Sequence, residues 1–338
     1  MPSSKPQRWS RRRMLGGSLI AALGPLLSAG LRATEVDPVD AAVAALRQRA
    51  LITKPIPATG ERLPAIGIGT NAFRAADYPQ LRAVLLRLQQ SGGTVIDTAD
   101  DYPNPSSEES EAVIGRALAD LGIRGKMFLA TKFNAEGGQP PTVPRDKIFG
   151  RDAFERSLQR LQTDHIDLQY VHHYPSIDAL MPLLQELKRA RKVRYIGLST
   201  LHAEEHAEIS AQMRKYSPDF VEVNYSLGSR EAEDSVLRTA LEHRIAVMVD
   251  VPLGGRRGSL LKEVGDRPLP PWARDIEVSS WSQFFLKYVI SHPAVTCAIP
   301  GSTQVEHVLD NQLAGRGRLP DAAMRKKMED YWNSITKP

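Results

Sequence analysis

The sequence predicts an α/β fold, a single-domain (β/α)8 TIM barrel preceded by an N-terminal signal peptide. Three observations carry this expectation. Eight short runs rich in β-branched residues recur along the chain: "AIGIGT" (65–70), "TVIDTA" (94–99), "MFLATKF" (127–133), "IDLQYVHH" (166–173), "RYIGLST" (194–200), "FVEVNYS" (220–226), "IAVMVDVP" (245–252) and "VTCAIPGS" (295–302). They are nearly continuous in apolarity, as in parallel strands covered on both faces. Amphipathic segments follow them, at 78–91, 108–121, 152–163, 178–190, 203–215, 230–243 and 279–291, with apolar residues at helical spacing. Eight β-then-α units in about 240 residues are the number and size of this barrel. A doubly wound sheet is the competing architecture, weakened because no GxGxxG loop follows any early strand.

Each segment has its place in this plan. Residues 1–33 read as a leader, 34–51 as a helical extension with a short amphipathic helix at 35–50, and 52–338 as the barrel. The Pro- and Gly-rich stretches 134–145 and 254–271 read as long loops after the third and seventh strands, where barrel enzymes build sites.

The chain has 338 residues, 42% hydrophobic and 25% charged, with a formal net charge of +5. That composition is ordinary for a soluble globular protein. Lys5, Arg8, Arg11, Arg12, Arg13 and Arg32 supply six positive charges within residues 1–33, which hold no acid, so the remainder carries a net −1. The basic balance therefore belongs to the leader and points to no nucleic-acid partner. In the leader, "SRRRML" precedes "GGSLIAALGPLLSAGL" and small residues at Ser28, Ala29 and Gly30. A basic region, a short apolar region and a small-residue site make an export signal. Arg11-Arg12 fits the twin-arginine pattern, so the export machinery and a bacterial periplasmic location are expected. A membrane anchor is the rival reading, but Gly24 and Pro25 break the apolar run, and no stable insertion is expected. The lone Cys297 excludes an internal disulfide and reads as a buried, inert thiol.

The chemistry lies at the strand ends. Asp97 ends one apolar strand, with Tyr102 in the next loop; Lys132 lies on the following strand; His172 and His173 end the one after. In a barrel these ends meet at one rim. Asp97 then finds a partner in Lys132, which makes two costly burials tolerable. A free tyrosine, with a pKa of about 10, is a poor acid at neutral pH. An ammonium nearby would lower that value and let Tyr102 protonate a developing alkoxide. Asp97 would keep Lys132 charged, and His172 would orient a carbonyl oxygen.

With these residues in hand, the sequence resembles the aldo-keto reductase superfamily over about residues 52–335. "IDTADDY" resembles the family's Asp-x-x-x-x-Tyr segment; "ATKF" and "DLQYVHHYP" place Lys132 and His172; "LPAIGIGT", "RYIGLST" and "AIPGSTQVEHVLDN" resemble its opening strand, its Gly-x-Ser-Asn strand and its last cofactor-binding segment. The resemblance implies Tyr102 as the acid, tuned by Lys132 and Asp97, with His172 orienting a small carbonyl substrate and NADP(H) supplying the hydride. His173 is expected as substrate contact or packing. The implied cofactor contacts are Gly69, Thr70, Asn71 and Asp97 early in the barrel and Ser199, Thr200, Glu222 and Asp250 along its middle strands. Pro252, Leu253, Gly254 and Arg256 follow in the loop after the seventh strand. Pro300, Gly301, Ser302 and Thr303 precede the last segment's helix, which carries His307, Asp310 and Asn311. No metal is expected, and the oligomeric state is left open, with a monomer favoured.

Three positions depart from the family pattern: Thr200 stands for an amide, Glu222 for a glutamine, and Asp250 for the aromatic that stacks on nicotinamide. In the last segment, Gly301 and His307 also stand where the family typically carries basic phosphate ligands. Trp272 and Trp281 read as helix packing, and His202 and His206 as members of an exposed helix without metal-ligand partners. Three functions follow: an exported NADPH-dependent carbonyl reductase, a redox-neutral epimerase or isomerase retaining its nicotinamide, or a nicotinamide-sensing barrel that docks on a partner protein. The first best accommodates the four-residue set.

Overall fold

The computed structural model describes residues 37–103, 109–133, 147–172, 176–255 and 259–336. The leader, His173 and Arg256 lie outside these residues. The chain opens with helix α1 (Pro38–Arg47) and a hairpin of β1 (Thr53–Pro55) and β2 (Arg62–Pro64). Asp37 caps α1 by accepting from the Val39 amide at 2.8 Å, and Pro38 occupies its first turn, where no amide donor is missed.

Then strands and helices alternate: β3 (Ile68–Gly69), α2 (Tyr78–Gln90), β4 (Val95–Asp97), α3 (Glu109–Leu121), β5 (Phe128–Phe133), α4 (Lys147–Leu161), β6 (Ile166–Val171), α5 (Ile177–Arg189) and β7 (Val193–Thr200). The second half continues with α6 (His206–Tyr216), β8 (Phe220–Asn224), α7 (Val236–His243), β9 (Ala246–Asp250), α8 (Leu260–Val264), α9 (Trp281–Ser291), β10 (Val295–Ala298), α10 (Val305–Ala314) and α11 (Ala322–Thr336). β3 to β10 form one eight-stranded parallel sheet in chain order. Parallel bridges Ile66↔Ala298 and Gly69↔Gly301 join its two edges and close the barrel. Closure leaves no room at the seam: a Cβ on Gly69 would meet the Ile299 carbonyl at 2.9 Å.

Two apolar clusters hold the barrel. The larger lies between strands and helices, with Leu85, Ile114, Phe154, Leu184, Ile209 and Phe285 among its members. The smaller fills the barrel interior and includes Phe128, Leu168, Tyr170, Phe220 and Met248. Each such side chain contributes about 1.5–3 kcal/mol on full burial. Ile56 and Leu63 of the hairpin belong to the inner cluster, so β1 and β2 plug the end where the strands begin. That leaves the C-terminal ends as the open rim. The glycine of "RYIGLST" has a steric reason: a Cβ on Gly197 would lie 2.4 Å from the Tyr170 ring.

Two side groups have settled places. Trp281 stacks on Phe285 at 5.5 Å and Trp272 packs at 5.7 Å from Phe284, so both are packing residues. His206 corrects the expectation of an exposed helix: it is buried, with Nε2 2.9 Å from Asn224 Oδ1, while His202 is exposed. The first turn of α6 faces the sheet, which the helical spacing alone did not reveal. Among the described residues, no helix is long and apolar enough to cross a membrane.

Candidate active site

Side-chain alternation along each strand decides which residues face the barrel axis. The inner cluster holds Val95 of β4, Ala130 of β5, Tyr170 of β6, Phe220 of β8 and Met248 of β9. Two residues on from these come Asp97, Lys132, His172, Glu222 and Asp250. On β7 the same count from Tyr195 through Gly197 reaches Ser199. These are the last inward positions before the C-terminal rim, where barrel loops carry catalytic groups.

The rim is pinned by its own backbone. Thr70 donates to the Asp97 carbonyl through both its amide (3.1 Å) and its hydroxyl (2.8 Å). The Asp100 amide donates to the Lys132 carbonyl at 3.0 Å, and the Ser110 amide to the Tyr102 carbonyl at 3.1 Å. The loop that carries Tyr102 is thereby tied to β5 and α3.

Lys132 lies at the centre. Its Nζ donates to Asp97 Oδ2 at 2.5 Å and to the Thr98 carbonyl at 3.0 Å, and sits 3.3 Å from Glu222 Oε2. Lys132 is 0% exposed, and Asp97 and Glu222 are each 2% exposed. The ammonium lies 5.5 Å from the centre of the Tyr102 ring and 5.6 Å from that of Tyr170. The Tyr102 and His172 rings meet edge-on at 5.7 Å, and His172 Nδ1 is 3.6 Å from Asp101 Oδ1. Tyr102, Lys132, Asp97 and His172 therefore converge. Asp101, Thr98 and Tyr170 join them without having been expected. Tyr170 was findable, since it lies two positions before His172 on the same inward face.

The electrostatics correct one expectation. Lys132 does act to lower the Tyr102 pKa, but burial pushes it up more strongly, and Asp97, Glu222 and Asp250 add to the rise. The net direction is upward, first because the phenol is buried and then because three carboxyl groups offset the single ammonium. Burial opposes the charge on Lys132, yet Asp97, Glu222 and Tyr102 together raise its pKa above the ordinary value. Burial raises Asp97 against the pull of Lys132, and burial followed by Asp97 raises Glu222 well above the carboxylate range. Asp250 is pushed up to about 7, first by burial.

The expected cofactor residues fall on two sides of this centre. Gly69, Thr70 and Asn71 leave β3 beside Gly301 at the seam, and the Gly69 amide donates to the Pro300 carbonyl at 3.3 Å. Ser302 accepts from the Gln304 amide at 3.2 Å, just ahead of α10, and the Thr303 carbonyl accepts from Gln80 Nε2 at 2.5 Å. His307 is exposed in the first turn of α10. A helix N-terminus flanked by hydroxyls suits a phosphate group. Pro252, Leu253 and Gly254 make a turn after β9, in which the Gly254 amide donates to the Val251 carbonyl at 2.9 Å and Gly254 takes φ 77°. Asp310 accepts from Ser280 and Gln283 and so braces α10 against α9, while Asn311 is buried in α10. Thr200 donates to Glu205 Oε2 at 2.5 Å, away from the inward set. Two buried acceptors at the rim, Asp97 Oδ1 and Asp250 Oδ1, have no hydrogen-bond partner among the described residues. A carboxamide N–H of a nicotinamide is the kind of donor they lack, so the rim fits such a group. The clefts beside α11, lined in part by His292, Arg325 and Met324, contain none of these residues.

Residues 65–329 match the Aldo/keto reductase family. The chain is 32% identical over 260 residues to methylglyoxal reductase YeaE of Escherichia coli, covering 74% of this chain and 84% of that one. It is 29% identical over 310 residues to the NADP(+) aldo-keto reductase yakc of Schizosaccharomyces pombe, covering 80% and 88%. Its fold is similar to that of an aldo/keto reductase from Klebsiella pneumoniae in complex with NADP and acetate (TM-score 0.64, 27% identity, 81% of this chain and 93% of that one). It also resembles the aldo-keto reductase AKR11C1 from Bacillus halodurans (TM-score 0.67, 23% identity, 85% and 97%).

Proposed function

Because the chain belongs to the aldo/keto reductase family, we propose that it reduces an aldehyde, ketone or sugar carbonyl to the alcohol, with NADP(H) as cofactor and Tyr102 as general acid. The observation that carries this reading is the buried Lys132–Asp97 pair at 2.5 Å beneath the Tyr102 ring, with His172 at its edge. When bound, NADPH supplies a hydride to the carbonyl carbon. Tyr102 gives its phenolic proton to the carbonyl oxygen as negative charge develops there. Lys132 stabilises the phenolate left behind, which matters most in the transition state. His172 donates a hydrogen bond that fixes the approach of the carbonyl. Ser302, Thr303 and the N-terminus of α10 would hold phosphate groups, and Asp97, Ser199, Glu222 and Asp250 would line the nicotinamide end.

The methylglyoxal reductase relative makes small 2-oxoaldehydes the first substrates to try. Loss of NADPH absorbance on adding a panel of aldehydes and sugars, in wild type and in Tyr102→Phe, tests the reading. No turnover with any carbonyl, or full turnover in Tyr102→Phe, would overturn it. A second reading, a redox-neutral epimerase that retains its cofactor, draws support from the acids Glu222 and Asp250 near the reacting groups; an absorbance spectrum of the purified protein separates the two. The same proposal places the protein in the bacterial periplasm as a monomer, delivered by the twin-arginine route with its cofactor already bound.

A further inference from the structure

The centre holds more acid than one ammonium can balance. Asp97, Glu222 and Asp250 project inward from β4, β8 and β9; among the described residues, Lys132 from β5 is the cation that pairs with Asp97 and Glu222, and it acts on Asp250 through its charge. Glu222 Oε2 is 3.3 Å from Lys132 Nζ, Glu222 Oε1 accepts from Ser199 Oγ at 3.5 Å, and the Glu222 and Asp97 side chains are in hydrogen-bonding reach of each other. Asp250 Oδ1 has no hydrogen-bond partner among the described residues. The remaining elements around the cluster bring Tyr102, Tyr170 from β6 and Cys297 from β10, all neutral when protonated, while His172 faces Asp101 instead. Fully ionised, the three carboxylates would leave two uncompensated negative charges in a buried space. Burial and mutual repulsion both oppose full ionisation of the three carboxyl groups and favour keeping a proton within the cluster. The residue after Asp250, Val251, takes φ 39°, a left-handed conformation that a β-branched residue rarely adopts.

The carbonyl that Tyr102 protonates must lie about 3–3.5 Å from the hydride donor. A nicotinamide serving that carbonyl would therefore lie near the same acids that surround the phenol. The reduced ring is neutral and the oxidised ring is a cation. We propose that Glu222 and Asp250 make this site selective for the oxidised cofactor, exchanging a cluster proton for the positive charge of the ring. The balance is simple. A carboxylic acid of the cluster plus NADP+ gives a carboxylate beside the bound cation and one proton released to solvent; NADPH binding releases none. This inference rests on the reading of the site as a nicotinamide-dependent carbonyl reductase and concerns which redox form the site retains.

Burial and mutual repulsion, which push Glu222 well up and Asp250 to about 7, put the exchange within a measurable pH range. One proton released corresponds to about a tenfold change in affinity per pH unit while the group is protonated. The test is to measure dissociation constants of NADP+ and NADPH by calorimetry from pH 5.5 to 8.5, in buffers of different ionisation enthalpy, for wild type, Glu222→Gln and Asp250→Asn. The 2′-phosphate is common to both cofactors and cancels in their ratio, and His172 is common to all three proteins. In wild type, NADP+ should bind more tightly than NADPH by about tenfold near pH 8, with the ratio shrinking as pH falls and proton release seen only with NADP+. Either amide variant should reduce both the ratio and the proton release, so a folding failure of one leaves the other as the test. A ratio that is flat with pH and unchanged in the variants would overturn the inference while leaving the reductase reading intact. Failure of both cofactors to bind would overturn both.

Discussion

The Lys132 ammonium donates to Asp97 Oδ2 at 2.5 Å with neither side chain open to solvent. Each ion justifies the other's burial, and neither is tolerable alone. Lys132→Met should therefore destabilise the fold by about 3–5 kcal/mol, the usual consequence of leaving one partner of a buried pair. It should also remove carbonyl reduction. Urea unfolding combined with NADPH oxidation checks both; wild-type stability and turnover together would show that the pair does not hold the site.

Tyr102→Phe removes a proton donor and little else, since the ring stays beside His172. Turnover should fall by about 10²–10⁴-fold, the contribution of a general acid. The NADPH dissociation constant should stay within about twofold, as expected for a group that acts in the transition state. Fluorescence titration and steady-state kinetics separate the two effects.

The pH dependence of stability carries the mark of Asp250. Its folded pKa of about 7 lies above the ordinary carboxylate value, so the native state binds a proton more tightly than the unfolded chain does. The stability linked to this group is fully present below the unfolded pKa, near 4, and is lost as pH rises towards 7, at most about 1.4 kcal/mol per pH unit. Asp250→Asn should abolish this slope. The variant should gain stability over wild type at pH 8 more than at pH 4 in denaturant titrations at the two values.

His307 stands exposed in the first turn of α10, where a phosphate would meet the helix N-terminus. Arginine there would add a permanent charge and a bidentate donor set. His307→Arg should strengthen NADPH binding about tenfold relative to NADH, by the scale of charge-assisted hydrogen bonds. An unchanged ratio of dissociation constants would place the 2′-phosphate elsewhere.

Export has its own test. Replacing Arg11 and Arg12 by lysine should leave the precursor in the cytoplasm, read as the loss of the shortened form from a periplasmic fraction. Normal processing of the double variant would remove the twin-arginine reading.

Much of this protein was legible in its residues because local physics repeats. Short, nearly continuous apolar runs and helical spacing mark eight strand-helix units, and the "IDTADDY", "ATKF" and "DLQYVHH" stretches point to Asp97, Tyr102, Lys132 and His172. Side-chain alternation along a strand is a local property, so the sequence by itself determined which residues end each strand facing the barrel axis. It did not determine how many of those residues share one small volume. Only closure of β3 against β10 brings Asp97, Glu222 and Asp250, from three separate strands, around Lys132. That is why the sign of the Tyr102 shift was misjudged from one Lys–Tyr pair: a pKa sums over every charge and all the desolvation around the group, whatever the distance along the chain. For the same reason the burial of His206 was missed, since a helix's spacing shows that it has an apolar face but not where its first turn lands on the sheet.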